Sequence, residues 1–157
     1  MLEIRRAGPG DREAIRGVYA SAVGAEASLD EAHLGRLIRA GGVFVAEEAA
    51  GVVGFGSIEV GAAEHLRWLY VLPGRQRVGV GSGLLKRLEE AGSEAGLRSL
   101  RLHAAPGAVG FYRRNGYREA APGEEVGHDH DGVEMVKELG PEYDYDPRVR
   151  PNGSAQW

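Results

Sequence analysis

Gln76-Arg77-Val78-Gly79-Val80-Gly81 lies between an apolar run, Leu69-Tyr70-Val71-Leu72 closed by Pro73, and an amphipathic run carrying Leu84, Leu85, Leu88 and Ala91. That order predicts strand, turn, helix. Glycine permits backbone angles closed to other residues and lets a ligand approach the main chain. Such a turn aims unpaired N–H groups and the positive end of a helix dipole at one point, which suits a phosphate or pyrophosphate. Pro73 ends strand pairing before the turn. Neither common nucleotide motif fits. A P-loop needs Gly-Lys-Ser/Thr, whereas Gly81 is followed by Ser82-Gly83, and Gly79-Val80-Gly81-Ser82-Gly83 sets the third glycine of a G-x-G-x-x-G fingerprint one residue early. A tight connection with no ligand remains open on this pattern alone.

The chain has 157 residues, a length that suits one domain. A net charge of -4 and the absence of a basic stripe argue against a nucleic-acid partner. No apolar run approaches the roughly 18 residues of a membrane span, and Met1-Leu2-Glu3-Ile4 does not open a signal peptide. The expected location is cytoplasmic. With 0 Cys there is no disulfide, no thiolate metal site and no acyl-cysteine intermediate.

In chain order, Leu2-Glu3-Ile4-Arg5 reads as an edge strand. Asp11 suits a helix N-cap before Ala14, Ile15, Val18, Tyr19 and Ala22. Ser28 or Asp30 can cap a second helix ended by Gly41-Gly42. Val43 to Ala46 and Val52 to Val60 form the arms of a hairpin around Glu48-Ala49-Ala50-Gly51. Gly54 and Gly56 share a face, which implies a close neighbour or a bulge. His65 to Leu72 is the next strand, and strict alternation puts Leu66, Trp68, Tyr70 and Leu72 on one face and His65, Arg67, Leu69 and Val71 on the other. Ser82 to about Gly96 is a helix with Lys86, Arg87, Glu89 and Glu90 outward. Leu97 to Leu102 is a strand, Pro106-Gly107 opens a short helix with Phe111 and Tyr112, and strands begin at Tyr117 and Gly132. Lone His33 suits a surface or helix-packing role. His128-Asp129-His130-Asp131 could chelate a metal, but it joins two strands where polar residues are ordinary, and no metal is expected.

Gln76-x-x-Gly79-x-Gly81 resembles the acyl-CoA signature Gln/Arg-x-x-Gly-x-Gly/Ala of the GNAT superfamily of N-acetyltransferases. Ala108-Val109-Gly110-Phe111-Tyr112-Arg113-Arg114-Asn115-Gly116-Tyr117 resembles that family's Ala-x-x-Phe-Tyr-x-x-x-Gly-Phe/Tyr segment. The resemblance spans residues 1–139, leaving 140–157 as a tail containing Pro and Tyr. It implies an α/β (α+β) fold: a mixed, splayed, mostly antiparallel sheet of six to seven strands flanked by about four helices. It implies acetyl-CoA as acyl donor. Leu69, Tyr70 and Val71 would bind the pantetheine arm and acetyl group. Gln76, Arg77, Val78, Gly79, Val80, Gly81 and Ser82 would cradle the pyrophosphate, largely through backbone. The family often carries Asn where this chain has Ala105, so that contact is missing.

Acetyl transfer to an amine needs a neutral amine, a polarised thioester carbonyl, close positioning and an acid for the leaving thiolate. Tyr112 stands where the family's acid tyrosine stands, and a phenol near pKa ~10 can exchange a proton with a thiol. His65 leads as base, with Glu64, Glu59, His103, Glu134 or a water chain as alternatives. Asp30, Glu31, Glu64, Glu124 and Glu125, if gathered at one mouth, would attract a cationic acceptor. The expected partners are acetyl-CoA and the primary amine of a small molecule, with the chain a monomer or homodimer. The alternatives are acetylation of a protein lysine or N-terminus, a non-catalytic acyl-CoA-binding module, or a dimerisation domain using the tail.

Overall fold

Glu48 and Gly51 end the two arms of a hairpin, Val43–Glu48 (β2) and Gly51–Ile58 (β3), with Gly51 at φ +129° in the turn. Around it the computed structural model builds one seven-stranded sheet. It describes residues 2–75, 79–124 and 132–140, together with the backbone of 151–152 and 154–155. Strand Glu3–Arg6 (β1) lies at one edge beside β2, as its alternation predicted. Leu66–Val71 (β4) pairs with β3, and Ser99–Ala104 (β5) follows it in the sheet. Arg118–Glu119 (β6) and Val133–Glu138 (β7) close the order β1-β2-β3-β4-β5-β7-β6. All neighbours are antiparallel except β4 and β5, whose parallel register is a single pair, Leu66 with Leu102. The expected mixed, splayed and mostly antiparallel sheet is present.

Helices Arg12–Val23 (α1) and Glu31–Arg39 (α2) cover one face. Ile15, Val18, Leu34 and Leu37 bury there against Val43, Val45, Phe55 and Trp68. Asp30 is the cap of α2, accepting the His33 N–H at 3.0 Å. Asp11 precedes α1 but turns its carboxylate back to the Gly8 N–H and to Arg5. His33 packs edge-on against Trp68, as a helix-packing histidine would.

Val80–Glu94 (α3) covers the other face, with Val109–Arg114 (α4) beside it. Leu84, Leu85 and Leu88 meet Phe44, Ala46, Val53 and Leu66 in a second core. Gly54 and Gly56 are the reason α3 lies so close. A Cβ on Gly56 would fall 2.8 Å from Leu88 Cδ1, and one on Gly54 would fall 3.1 Å from Leu84 Cδ1.

Two sequence expectations are corrected. On β4, Leu69 and Leu66 lie opposite Gly56 and Ile58, so Arg67 and Trp68 together face Ser57. This bulge breaks the alternation. Leu66 joins Leu69 and Val71 in the core under α3, while Trp68 and Tyr70 face α1 and α2. Ser57 holds the bulge, its Oγ accepting the Trp68 N–H at 3.2 Å. Glu89, expected outward, is 2 % exposed. Its carboxylate accepts from the Tyr117 hydroxyl at 2.9 Å and from Lys137 Nζ at 3.0 Å, so a charge pair and a hydroxyl balance its burial.

The predicted boundary at 139/140 places the tail almost wholly outside the described residues; of the tail, the structure describes Gly140 and the backbone pairing of Pro151–Asn152 with Ser154–Ala155. No described helix is long and apolar enough to cross a membrane.

Candidate active site

The site is the fork where β4 and β5 part. An antiparallel ladder turns alternate residues toward and away from the partner strand. Leu72 N–H bonds Val53 O, so Tyr70, two residues back, also faces β3, and Leu69 and Val71 turn their peptide groups toward the fork. Among the described strands none pairs with β4 on that side beyond Leu66. Leu69 N–H is therefore placed to meet a carbonyl oxygen or an extended ligand arm.

Two adjacent side chains open the fork. On the β4 side of β5, the Arg101 and His103 N–H groups would bond a parallel partner. Instead, Arg101 N–H donates to His65 Nδ1 at 3.1 Å and His103 N–H donates to Glu64 Oε2 at 3.2 Å. His65 N–H returns a bond to Arg101 O at 2.9 Å. Side chains thus satisfy β5 where strand backbone would otherwise be needed, and β4 is released to diverge.

This defines His65. It is 2 % exposed, and burial, with the nearby Arg101 charge, pushes its pKa down to about 4. The ring is neutral near pH 7. Arg101 donors face both of its nitrogens, the backbone N–H at 3.1 Å from Nδ1 and the guanidinium Nη2 at 3.3 Å from Nε2. The side chain expected as the base thus braces β4 against β5 through Arg101.

Glu64 occupies the fork instead. Its carboxylate reaches both the backbone N–H and Nδ1 of His103, the latter at 3.3 Å, and it lies close enough to Tyr112 to help raise that phenol's pKa. Tyr112, on α4, is 7 % exposed, and burial is the main cause of the rise, with Tyr70 and Glu64 adding to it. Its ring meets Phe111 edge-on at 5.1 Å and Tyr117 at 5.5 Å. Tyr70 projects from β4 toward α1, where Tyr19 meets it edge-on at 5.2 Å. Desolvation also raises Tyr70.

The glycine turn stands at the open end of the fork. Gly79 takes φ +82° as the residue before α3, a left-handed angle natural to glycine. No acidic side chain lies in the first turn of α3, and among the described residues no side chain caps it. A Cβ on Gly81 would meet Phe111 Cζ at 3.3 Å and Val71 Cγ2 at 3.8 Å. The helix start, the end of β4 and α4 therefore converge. A helix N-terminus that no described side chain caps, beside the Leu69 edge of β4, fits a ligand with an anionic group and an amide-bearing arm. Among the expected cofactor residues, Leu69, Tyr70, Val71, Gly79, Val80, Gly81 and Ser82 border this region. Gln76, Arg77 and Val78 lie outside the described residues, as does His128-Asp129-His130-Asp131. Among the described residues no group of three or more His, Asp or Glu is arranged to hold a metal ion.

The acidic ring expected at the acceptor mouth is mostly engaged elsewhere. Glu31 pairs with Arg12 and Arg16, Glu124 pairs with Arg118, and Glu125 lies outside the described residues. Glu64, bonded to His103, is the member of this set that stands at the fork among the described residues. A pocket of about 360 Å³ opens beside Tyr19 between α1 and the connection to α2, lined also by Arg16, Leu29 and Glu31.

The model of the acetyltransferase (GNAT) domain matches residues 39–119. Solved structures share the fold at low identity. A GNAT-family acetyltransferase from Staphylococcus aureus Mu50 superposes with a TM-score of 0.75 at 18% identity, over 88% of this chain and 99% of that one. The PaiA N-acetyltransferase from Thermoplasma acidophilum, in complex with coenzyme A, gives 0.64 at 19% identity over 88% and 99%. N-acetylglutamate synthase from Neisseria gonorrhoeae, complexed with coenzyme A and N-acetyl-glutamate, gives 0.72 at 17% identity over 88% of this chain and 35% of that one. No curated relative matches the chain.

Proposed function

Because this chain belongs to the GNAT acetyltransferase family and is an acetyl-CoA-dependent N-acetyltransferase, we propose that it acetylates the primary amine of a small molecule at the β4–β5 fork. The observation that carries this reading is the meeting, where β4 and β5 part after Leu66, of the Leu69 edge of β4, a helix N-terminus that no described side chain caps, a buried tyrosine and a carboxylate.

Acetyl-CoA brings an acyl group already activated as a thioester. Gly79, Val80, Gly81 and Ser82 would hold its pyrophosphate through backbone N–H groups, with Gln76, Arg77 and Val78 completing the cradle. Leu69 and Val71 would hold the arm as an added strand, and Leu69 N–H would polarise the acyl carbonyl. Tyr112 is the proton donor for the departing thiolate. Its raised pKa keeps the phenol protonated until the thiolate forms. The base is assigned to Glu64 rather than His65, since the Glu64 carboxylate acts on the Tyr112 phenol and the His65 Nδ1 lone pair is occupied.

A small acceptor is favoured by the pocket beside Tyr19, whose volume suits a small ligand, and by the small acetylated acid named with the Neisseria structure. A panel of amino acids, polyamines, aminoglycosides, peptide N-termini and lysine peptides, read by thiol release from acetyl-CoA, tests the assignment. Turnover with small amines and none with peptides is expected. The reverse pattern would move the reading to protein acetylation, and coenzyme A binding without any turnover would reduce the chain to an acyl-CoA-binding module.

A further inference from the structure

We propose that Glu89 is a positioning residue for the acid Tyr112: from α3 it fixes, through Tyr117 and Lys137, where α4 sets that phenol. The inference rests on the acetyltransferase reading above.

The acid must be placed well. A phenol gives its proton only within hydrogen-bond reach of the sulfur, and a misplacement of about 1 Å can cost about 10²-fold in rate. Tyr112 sits on a helix of 6 residues, Val109–Arg114, too short to hold its shape unaided. Its place is set from its C-terminal side. The Tyr112 carbonyl accepts the Asn115 N–H and the Tyr117 N–H, each at 3.0 Å. Gly116, at φ +95°, turns the chain between them. The Tyr117 ring then meets the Tyr112 ring edge-on at 5.5 Å. Backbone and ring of Tyr112 both rest on Tyr117.

Glu89 gathers these supports. Tyr117 is buried, and its hydroxyl donates to Glu89 Oε2 at 2.9 Å. Lys137, from β7, donates through Nζ to Glu89 Oε1 at 3.0 Å and to the Asn115 carbonyl, just past α4, at 3.0 Å. Its stem passes Gly116, where a Cβ would fall 3.2 Å from Lys137 Cε, and its ammonium lies 5.7 Å from the centre of the Tyr117 ring. Glu89 also lies on the helix whose first turn borders the proposed pyrophosphate cradle. From Val80 to Glu89 that helix runs about 14 Å, so one rigid element relates the cradle to the acid. Burial alone does not explain a carboxylate here, because apolar side chains of similar volume often stabilise as well as a buried charge pair. Hydrogen bonds add direction. An apolar side chain would hold neither the Tyr117 hydroxyl nor the Lys137 ammonium in place.

Two substitutions test the role. Tyr117→Phe keeps the ring and removes the hydroxyl, and Glu89→Gln keeps the shape and removes the charge. Each is measured alone and in the Tyr112→Phe background, with acetyl-CoA and a saturating small amine. Alone, each should lower kcat at least about 5-fold with the KM for acetyl-CoA within about 2-fold of wild type, because the acid is displaced and the cradle is not. In the Tyr112→Phe background the same changes should alter kcat less than about 2-fold, since the group they aim is gone. Coenzyme A binding by calorimetry should be unchanged. A wild-type kcat in Tyr117→Phe, with only the melting temperature lowered, makes the cluster structural and overturns the proposal; that variant decides the matter if Glu89→Gln does not fold. Equal losses with and without the Tyr112 hydroxyl also overturn it, for Glu89 would then act by another route. A wild-type rate in Tyr112→Phe itself withdraws the acid, and the proposal with it. Absence of turnover in the wild-type chain with every amine, despite bound coenzyme A, would instead refute the acetyltransferase reading.

Discussion

The two edges of β4 teach different lessons. Against β3, the strand is held by an antiparallel ladder from Gly54–Val71 to Ile58–Leu66 with one bulge. Against β5, it is held at one pair, and the side chains of Glu64 and His65 complete what backbone leaves undone. The first edge is dry, with glycines drawing α3 onto it. The second is polar and open. One strand can present a packed side and a reactive side because hydrogen-bond demand at the second is met by side chains, which need not continue along the strand.

The largest expected effect is on the open edge. Tyr112→Phe should lower kcat by about 10²–10⁴-fold and leave coenzyme A binding and fold intact, as steady-state kinetics and calorimetry would report. Unchanged turnover would remove the acid assignment and with it much of the contrast between the edges.

Next comes the strut. The folded pKa of His65 is depressed from 6.5 to about 4. Its neutral form therefore supports the fold fully above pH 6.5, and that support is lost as pH falls toward 4, because the unfolded chain takes up the proton first. On the order of 3 kcal/mol is at stake. Denaturant melts from pH 7.5 to 4 should show this decline in the wild type and a shallower one in His65→Gln. Parallel slopes would mean that His65 is not the neutral strut described.

The closed edge should be broken by volume rather than by charge. Gly56→Ala sets a Cβ 2.8 Å from Leu88 Cδ1 and 3.2 Å from Leu69 Cδ1, and should cost about 1–3 kcal/mol in denaturant unfolding. The smallest effect is expected at the bulge. Ser57→Ala removes the acceptor of the Trp68 N–H and should cost about 1 kcal/mol.

Much of the closed edge was legible in the sequence. Gly54 and Gly56, two apart on a strand, announced a close neighbour, and the amphipathic run after Gly81 supplied it. The glycines at 79 and 81 also announced the turn before α3. Alternation failed at Arg67 and Trp68, because a bulge is a relation between two strands and leaves no mark on either alone. Glu89 read as outward for a similar reason: the groups that balance its burial, Tyr117 and Lys137, stand 28 and 48 positions away. The open edge was legible as a list of candidates and illegible as an arrangement. His65 and Glu64 both stood among the possible bases, and nothing local says that both would accept backbone N–H groups of β5.

By itself, the sequence determined the strand–turn–helix around Gly79 and Gly81, which follows from periodicity and glycine placement within a short stretch of chain, and its two motifs carried the resemblance that implied the family and the mixed sheet. Only the tertiary structure decided what each group at the fork is bonded to. Arg101 and His103 lie 36 and 39 positions from the side chains that bind them, and a lone pair's availability depends on what folding brings beside it.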